Sequence, residues 1–403
     1  MWSDRAKDVM RKAAIRADLI TESDHPNRLM LVSEPEAAAL YCERECKRYD
    51  LLNHERFMIC DAGGGTVDLI VYEITISSEG RRLSEVTKGH GASCGSMFID
   101  LNLKNLLIKK FGIQAAKLPK NIIPSLVETF AYQVKPQFDG IEDQHLALPR
   151  SDCFDDLDDP KAIGIDGMYI CLKASELKEM VFEPAVKKVL TLIQEQLDSA
   201  KLCQAIFMVG GFGASNYLLK RVKQEFGGVV RTISAPHKPE MAVVCGAVYA
   251  GLNSKTVAAR IARRCYGVGT SMPFEAGIDP VHLKVERIDG IWCKNRFSTF
   301  VRKGQKIDVD ECVSDNFSVT KLAENETFSY SFNIYSIDGE PRRYVTDTGV
   351  SKQGGFSVPS PFKPSDPIGH KIDVDVNMYF GLIEIIAEGI IQGKKYYTTL
   401  QFN

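Results

Sequence analysis

The sequence predicts an α/β domain followed by an all-β domain, and three observations carry that reading. Helical and strand patterns alternate up to about residue 253. Glycine-rich junctions separate strand-like runs from one another and from helices within that region. From about residue 258 the pattern shifts to short segments that alternate apolar and polar residues between turn residues, the signature of a β-sandwich. The predicted domains are therefore 1–253 and 258–403.

Composition sets the outer limits. A chain of 403 residues is long enough for two or three domains with real cores. Hydrophobic content of 44% and charged content of 25% are ordinary for a soluble globular protein. A net charge of -2 gives no reason to expect nucleic acid or an anionic membrane as partner. Eleven cysteines are scattered singly, the closest pair being Cys42 and Cys46, with no CxxC. Without a signal-like apolar N-terminus they read as reduced thiols of the cytosol or nucleus. No run reaches the length of a membrane span.

In chain order, "DRAKDVMRKAAIRADLI" has the helical spacing of Val9, Ala13, Ala14 and Ala17, and "LMLVS" reads as a short buried strand. "EPEAAALYCERECKRYD" is helical, with Pro35 tolerated in a first turn. "FMICDAGGGTVDLIVYEITI" and "RLSEVTKGH" read as successive antiparallel strands, and "IDLNLKNLLIKKF" as an amphipathic helix. "DCFDDLDDP" reads as a solvated acidic loop, since it lacks the spacing and glycine of a calcium loop. "AIFMVGGFGASNYLLKRVKQEF" is a buried strand, a glycine loop and a helix starting near Ser215. "MAVVCGAVYAGL" is a small-residue helix suited to packing tightly on a sheet, and "ARIARRC" reads as a solvated helix face. In the second domain "FSTFVRKGQKI", "FSVTKLAENETFSYSFNIYSIDG", "IDVDVNMYFGLIEIIAEGI" and "KKYYTTLQF" alternate as strands. Asp338-Gly339 marks a turn and "PSPFKPSDP" a proline-rich loop.

The chemistry concentrates in "ICDAGGGTVD". Glycines between strands let a ligand approach the backbone, and successive amide N–H groups form an anion cradle. Thr66 adds a hydroxyl, while Asp61 and Asp68 can hold a hydrated Mg²⁺ against phosphates. The plain alternative is a glycine-rich hairpin with two incidental acids. "MVGGFGAS" places a second glycine pair between a buried strand and a helix N-terminus, whose dipole favours an anion. "LVSEPEAAAL" adds a strand–turn–helix junction with Glu34 at its mouth.

Taken in order, "LVSEPEAAAL", "ICDAGGGTVD", "IFMVGGFGAS" and "KPEMAVVCGAVYAG" resemble the actin-like ATPase domain of the seventy-kilodalton heat-shock (DnaK-like) chaperones, in their divergent eukaryotic branch. The resemblance covers residues 2–252, and residues beyond 258 look more loosely like the family's β-sandwich substrate-binding domain. It implies ATP or ADP with Mg²⁺ as cofactors. Gly63, Gly64, Gly65 and Thr66 fall on its second phosphate loop, and Asp61 and Asp68 on its magnesium- and water-holding acids. Glu34 falls on the acid near the attacking water; Gly95, Gly210 and Gly211 match nucleotide glycines, and Lys135 a lysine near adenine and ribose. Partners implied are unfolded or extended polypeptide segments and co-chaperones, in protein folding and the stress response.

The departures bear on activity. Ala214 stands where the family stacks an arginine on adenine, and Ser96 where it has an acid on ribose. The first phosphate loop and the catalytic lysine are expected upstream of residue 1, which leaves the first lobe incomplete and hydrolysis impaired in this chain. The expectation is thus ATP-linked binding of unfolded segments, the alternative a non-hydrolysing scaffold. A remote rival is "GASCG", which fits a GxSxG elbow with Ser93 as nucleophile and His237 and His282 downstream. The preceding strands read as an antiparallel meander, and no HGGG-type loop is present, so Ser93 is the weaker reading. The seven dispersed histidines lack metal-ligand spacing, and Cys60 reads as a buried strand residue.

Overall fold

The computed structural model describes residues 4–21, 24, 28–45, 51–78, 80–154, 157–252, 256–309, 311–324, 328–380 and 385–399. The chain forms two compact units, one spanning Ser33–Thr256 and the other combining Trp2–Val32 with Val257–Asn403.

The first unit is built around one mixed sheet. β1 (Arg56–Ala62), β2 (Val67–Ser77) and β3 (Gly80–Glu85) form an antiparallel meander. On the other side of β1, β8 (Ala205–Val209) and β9 (Thr232–Ser234) run parallel to it, giving the order β3-β2-β1-β8-β9. A short β4 (His90–Ala92) pairs with the start of β2. β1 and β8 are buried on both faces, as their near-continuous apolar runs require. Met58, Cys60 and Ala62 point into the larger core with residues of α3 (Met97–Phe111), α4 (Ile122–Gln133), α5 (Glu183–Ala200) and α6 (Asn216–Phe226). On the opposite face Phe57 packs against Phe207 and Tyr72, with ring centroids 5.6 and 6.0 Å apart. A small sheet of β5 (Gln144–Ala147), β7 (Tyr169–Leu172) and β6 (Ile165–Asp166) closes the far end of that core.

α2 (Glu34–Glu45) and α7 (Ala242–Leu252) lie against each other. A Cβ on Gly246 would come within 1.7 Å of the Ala37 carbonyl oxygen, so only glycine permits this approach. The small residues of α7 therefore serve a helix–helix contact, where the sequence suggested packing on a sheet.

The second unit contains α1 (Asp4–Arg16) and two antiparallel sheets. One has the order β12 (Lys284–Arg287), β13 (Gly290–Val301), β11 (Cys265–Pro273), β16 (Ser329–Ile337), β17 (Val350–Pro359). The other runs β15 (Cys312–Thr320), β18 (Lys371–Tyr379), β19 (Ile386–Ile391), β20 (Lys394–Thr399). Tyr266, Phe332 and Phe356 from the first share one apolar cluster with Val374, Met378 and Ala387 from the second. Two buried charges hold loops to this frame. Asp279, whose side chain is fully enclosed, accepts from Tyr344 Oη at 2.6 Å and Arg343 Nε at 3.0 Å. Burial opposes its ionisation, but these bonds, the Glu275 amide and the Arg296 charge hold its carboxyl well below the usual range. Lys321 is 1% exposed, and its ammonium donates to the carbonyls of Lys363, Pro364 and Asp366 at 2.9, 3.1 and 2.6 Å.

Three local expectations are corrected. "LMLVS" forms no strand and is only partly buried; with no neighbouring strand paired to it among the described residues, its β-propensity goes unused. "ARIARRC" begins not as a helix but as β10 (Val257–Ile261), with Val257 and Ala259 buried at period two and β14 (Lys306–Asp308) as antiparallel partner. The acidic stretch 152–160 is more ordered than a solvated loop. Leu157 is buried in the core and Asp159 caps the helical turn Pro160–Ile163 through the Ala162 amide, while residues 155–156 lie outside the described ones.

Candidate functional site

The site lies at the carboxyl ends of the neighbouring parallel strands β1 and β8, where α/β sheets place ligands. Asp61 and Asp68 stand directly opposite each other across the antiparallel β1–β2 pair, on one face of the sheet. Like charges so placed repel unless something cationic or a proton lies between them. Asp61 is 8% exposed, and no hydrogen bond reaches its carboxylate among the described residues. Burial, then the charges of Glu34 and Asp68, push its pKa up to about 6. Glu34, the first residue of α2, is thereby placed within electrostatic reach of Asp61 and is itself exposed. Two further carboxylates thus act on Asp61, with no cationic side chain acting on it among the described residues.

The loop Gly63–Thr66 joins the two acid-bearing strands. Its carbonyls point one way: those of Gly63, Gly64 and Gly65 accept from the amides of Ser96, Met97 and Gly95 at 3.0, 2.8 and 3.1 Å. Two of these bonds satisfy the Ser96 and Met97 amides at the start of α3, whose N-cap makes no side-chain bond. The consequence is on the other side of the loop. The amides of Gly64, Gly65 and Thr66 have no intramolecular partner among the described residues, and all three residues are exposed. A Cβ built on Gly64 or Gly65 meets nothing within 4 Å. Intramolecularly unpartnered N–H groups in an exposed loop beside opposed carboxylates can cradle an anion next to a cation.

The second glycine pair is brought to the same place. Gly210 has φ +80, and its Cβ would lie 2.4 Å from the Ala62 carbonyl oxygen and 2.8 Å from an Asp61 oxygen. Gly211 beside it is exposed, with nothing near its Cβ position. The chain then makes the helical turn Gly210–Gly213, and Ser215 caps α6 by accepting from the Leu218 amide. Gly95 is held for packing, its Cβ position lying 2.5 Å from the Gly64 carbonyl oxygen.

Lys135 has a different partner. Its ammonium donates to both oxygens of Asp100 at 2.8 Å, tying the end of α4 to the first turn of α3. Asp100 was not among the sequence candidates, nor was Gly91, whose Cβ would lie 2.5 Å from an Asp68 oxygen. Gly91 stands opposite Asp68 in the β2–β4 pair, which only the register reveals. Burial and then the Asp61 charge raise the Cys60 thiol far above its ordinary range, in keeping with an inert strand residue. Ser93 follows β4, which is antiparallel to β2, so it lacks the parallel strand that a nucleophile elbow leaves. Among the described residues no group of three His, Cys, Asp or Glu side chains is set to hold a bare metal ion. Nor is any described helix long and apolar enough to cross a membrane.

No family model matches the chain. Among curated proteins it is similar to Heat shock 70 kDa protein 12A of Homo sapiens, with 23% identity covering 97% of this chain and 67% of the relative. Heat shock 70 kDa protein 12B of Homo sapiens matches at 24%, covering 96% of this chain and 66% of its own length. Chaperone protein DnaK of Carsonella ruddii matches at 24% over 89% of this chain and 54% of its own. The chain spans about two thirds of the length of the first two.

Proposed function

We propose that this chain, a divergent member of the seventy-kilodalton heat-shock family, binds a nucleoside di- or triphosphate, ATP or ADP, with Mg²⁺ at the β1–β8 end and couples that binding to an extended apolar peptide held by its all-β unit. The observation that carries the nucleotide half is the row of unpartnered amides at Gly64, Gly65 and Thr66 beside the opposed Asp61 and Asp68. A hydrated Mg²⁺ suits this donor set, since the two carboxylates stand opposite each other, no hydrogen bond or cation acts on Asp61 among the described residues, and Mg²⁺ keeps several of its waters. Asp61 and Asp68 would hold it through those waters, with Glu34 at the edge. When bound, the ion neutralises phosphate charge; the chain's own amides orient the phosphates, and Gly210 and Gly211 leave room for the rest of the nucleotide.

Binding stands ahead of hydrolysis in this proposal. Phosphoryl transfer needs developing charge to be neutralised, and the groups acting on Asp61 are two further carboxylates. That observation favours, as the second reading, a nucleotide-binding scaffold that does not turn over. The peptide half rests on the family relationship and on two antiparallel sheets sharing one core. Recognition there would use main-chain pairing plus apolar pockets. The partners would include unfolded segments and co-chaperones, in the cytosol or nucleus.

The two readings separate in one titration. Fluorescence anisotropy of a Leu-rich extended peptide with the full chain should show binding whose affinity changes at least twofold, by rough estimate, on saturation with Mg-ATP. No binding at high micromolar protein leaves the scaffold reading. Binding indifferent to Mg-ATP removes the coupling.

A further inference from the structure

The loop between β9 and α7 carries a backbone conformation that its sequence opposes. Lys238 has φ +47 and ψ +62, in the left-handed region, and is followed by Pro239. A Cβ disfavours that region, and a following proline pushes its neighbour toward extended backbone. Of the six non-glycine residues at positive φ among those described, Lys238 is the one that precedes a proline. Bonds on both sides hold it there. Tyr41 of α2 donates its hydroxyl to the His237 carbonyl, and the Lys238 carbonyl accepts from the Met241 amide at 2.9 Å.

This loop borders the candidate site. The helical turn Pro239–Met241 packs against the turn Gly210–Gly213 and against β8. Its other anchor, Tyr41, lies on the helix that Glu34 opens. Lys238 is exposed, and its ammonium makes no ion pair among the described residues, either with Glu240 two positions on or with another acid. Nor is it neutralised by the acid pair, because no cation acts on Asp61. Glycine would take the left-handed position with less strain. Strain of this kind persists where the surroundings enforce it, and it collects at ligand clamps.

We propose that Lys238 is a phosphate-binding residue whose ammonium closes on a nucleotide's polyphosphate from the Gly210–Gly211 side. This inference rests on the nucleotide reading and supplies a charge that reading lacks. The carboxylates acting on one another at Asp61 repel a polyphosphate, and no side-chain cation acts there to offset them. Lysine suits the role, since it meets phosphate as a compact point charge on a flexible stem. The strained backbone fixes where that stem begins.

Titration calorimetry of Mg-ATP into the full chain and its Lys238→Gly and Lys238→Arg variants tests this. Lys238→Gly should bind about tenfold more weakly or worse. It should melt no lower than wild type, since relieved strain offsets the added freedom of the unfolded chain. Lys238→Arg keeps the charge and should stay within about threefold of wild type. Added salt should weaken wild type more than Lys238→Gly. No heat from wild type removes the nucleotide reading and this inference with it. Wild-type heat matched by Lys238→Gly overturns the inference alone and leaves the cradle standing. Equal loss in both variants, or a lower melt of Lys238→Gly, gives the loop a structural role and overturns it as well.

Discussion

Around Gly64, Gly65 and Gly211 an added Cβ meets nothing within 4 Å, whereas at Gly95, Gly210 and Gly246 it would lie 2.5, 2.4 and 1.7 Å from a backbone oxygen. The two sets stand in the same unit, and four of the six line the same site. In the first set the missing side chain leaves room for something outside the chain. In the second it lets two parts of the chain meet. On the proposed reading the open set is the functional signature, because no close contact in the fold requires glycine there.

That contrast can be broken by substitution, beginning where the effect on the fold is largest. Gly246→Ala drives a methyl into the Ala37 carbonyl and must part α2 from α7. The expected loss is about 3 kcal/mol, a fall in melting temperature on the order of 10 °C. A melt unchanged to within about 1 °C would mean the helices separate without resistance and the close-approach reading fails.

Asp61→Asn should act in the opposite direction. With its pKa pushed up to about 6 by burial and then by Glu34 and Asp68, the folded chain retains a proton that the unfolded chain gives up near pH 4. Wild-type stability therefore falls as pH rises through that window, and the asparagine variant escapes the fall. Denaturant titrations should show the variant more stable by about 2–3 kcal/mol at pH 7, with the gain gone at pH 4. A variant less stable than wild type at pH 7 would show that the carboxylate makes a stabilising contact in the folded chain.

Asp100→Asn gives a smaller change. The Asp100–Lys135 pair is mostly enclosed, with side chains 25% and 16% exposed, and keeps one hydrogen bond after substitution. Chemical denaturation should register a loss of about 1 kcal/mol. A loss below about 0.3 kcal/mol would mean that Lys135 is available to a ligand at little cost.

What the sequence made legible follows from how local each feature is. "CDAGGGTVD" declares strand, turn and strand within nine residues, and the opposition of Asp61 and Asp68 follows from that hairpin. Gly210 was legible as the end of a buried strand, but its contact with Ala62 depends on the parallel pairing of β1 and β8. "LMLVS" misled because its β-branched and apolar residues promise a strand only if a partner strand is there. "ARIARRC" misled because its three arginines mask a period-two burial at Val257 and Ala259. The Lys321 cage and the Arg343 and Tyr344 bonds to Asp279 had no sequence signal, since those partners lie 42–45 and 64–65 residues away.

Gly64→Val is the smallest perturbation to the fold and the largest to the proposed ligand. Its side chain enters empty space, so the melt should stay within about 0.5 kcal/mol of wild type. Titration calorimetry of Mg-ATP into the wild-type chain and into this variant is the most direct measurement of the site. Saturable heat from wild type, with affinity at least about tenfold weaker in Gly64→Val at unchanged stability, is the expected result. Equal heats from both proteins, or none from either, would contradict a nucleotide cradle at Gly63–Thr66.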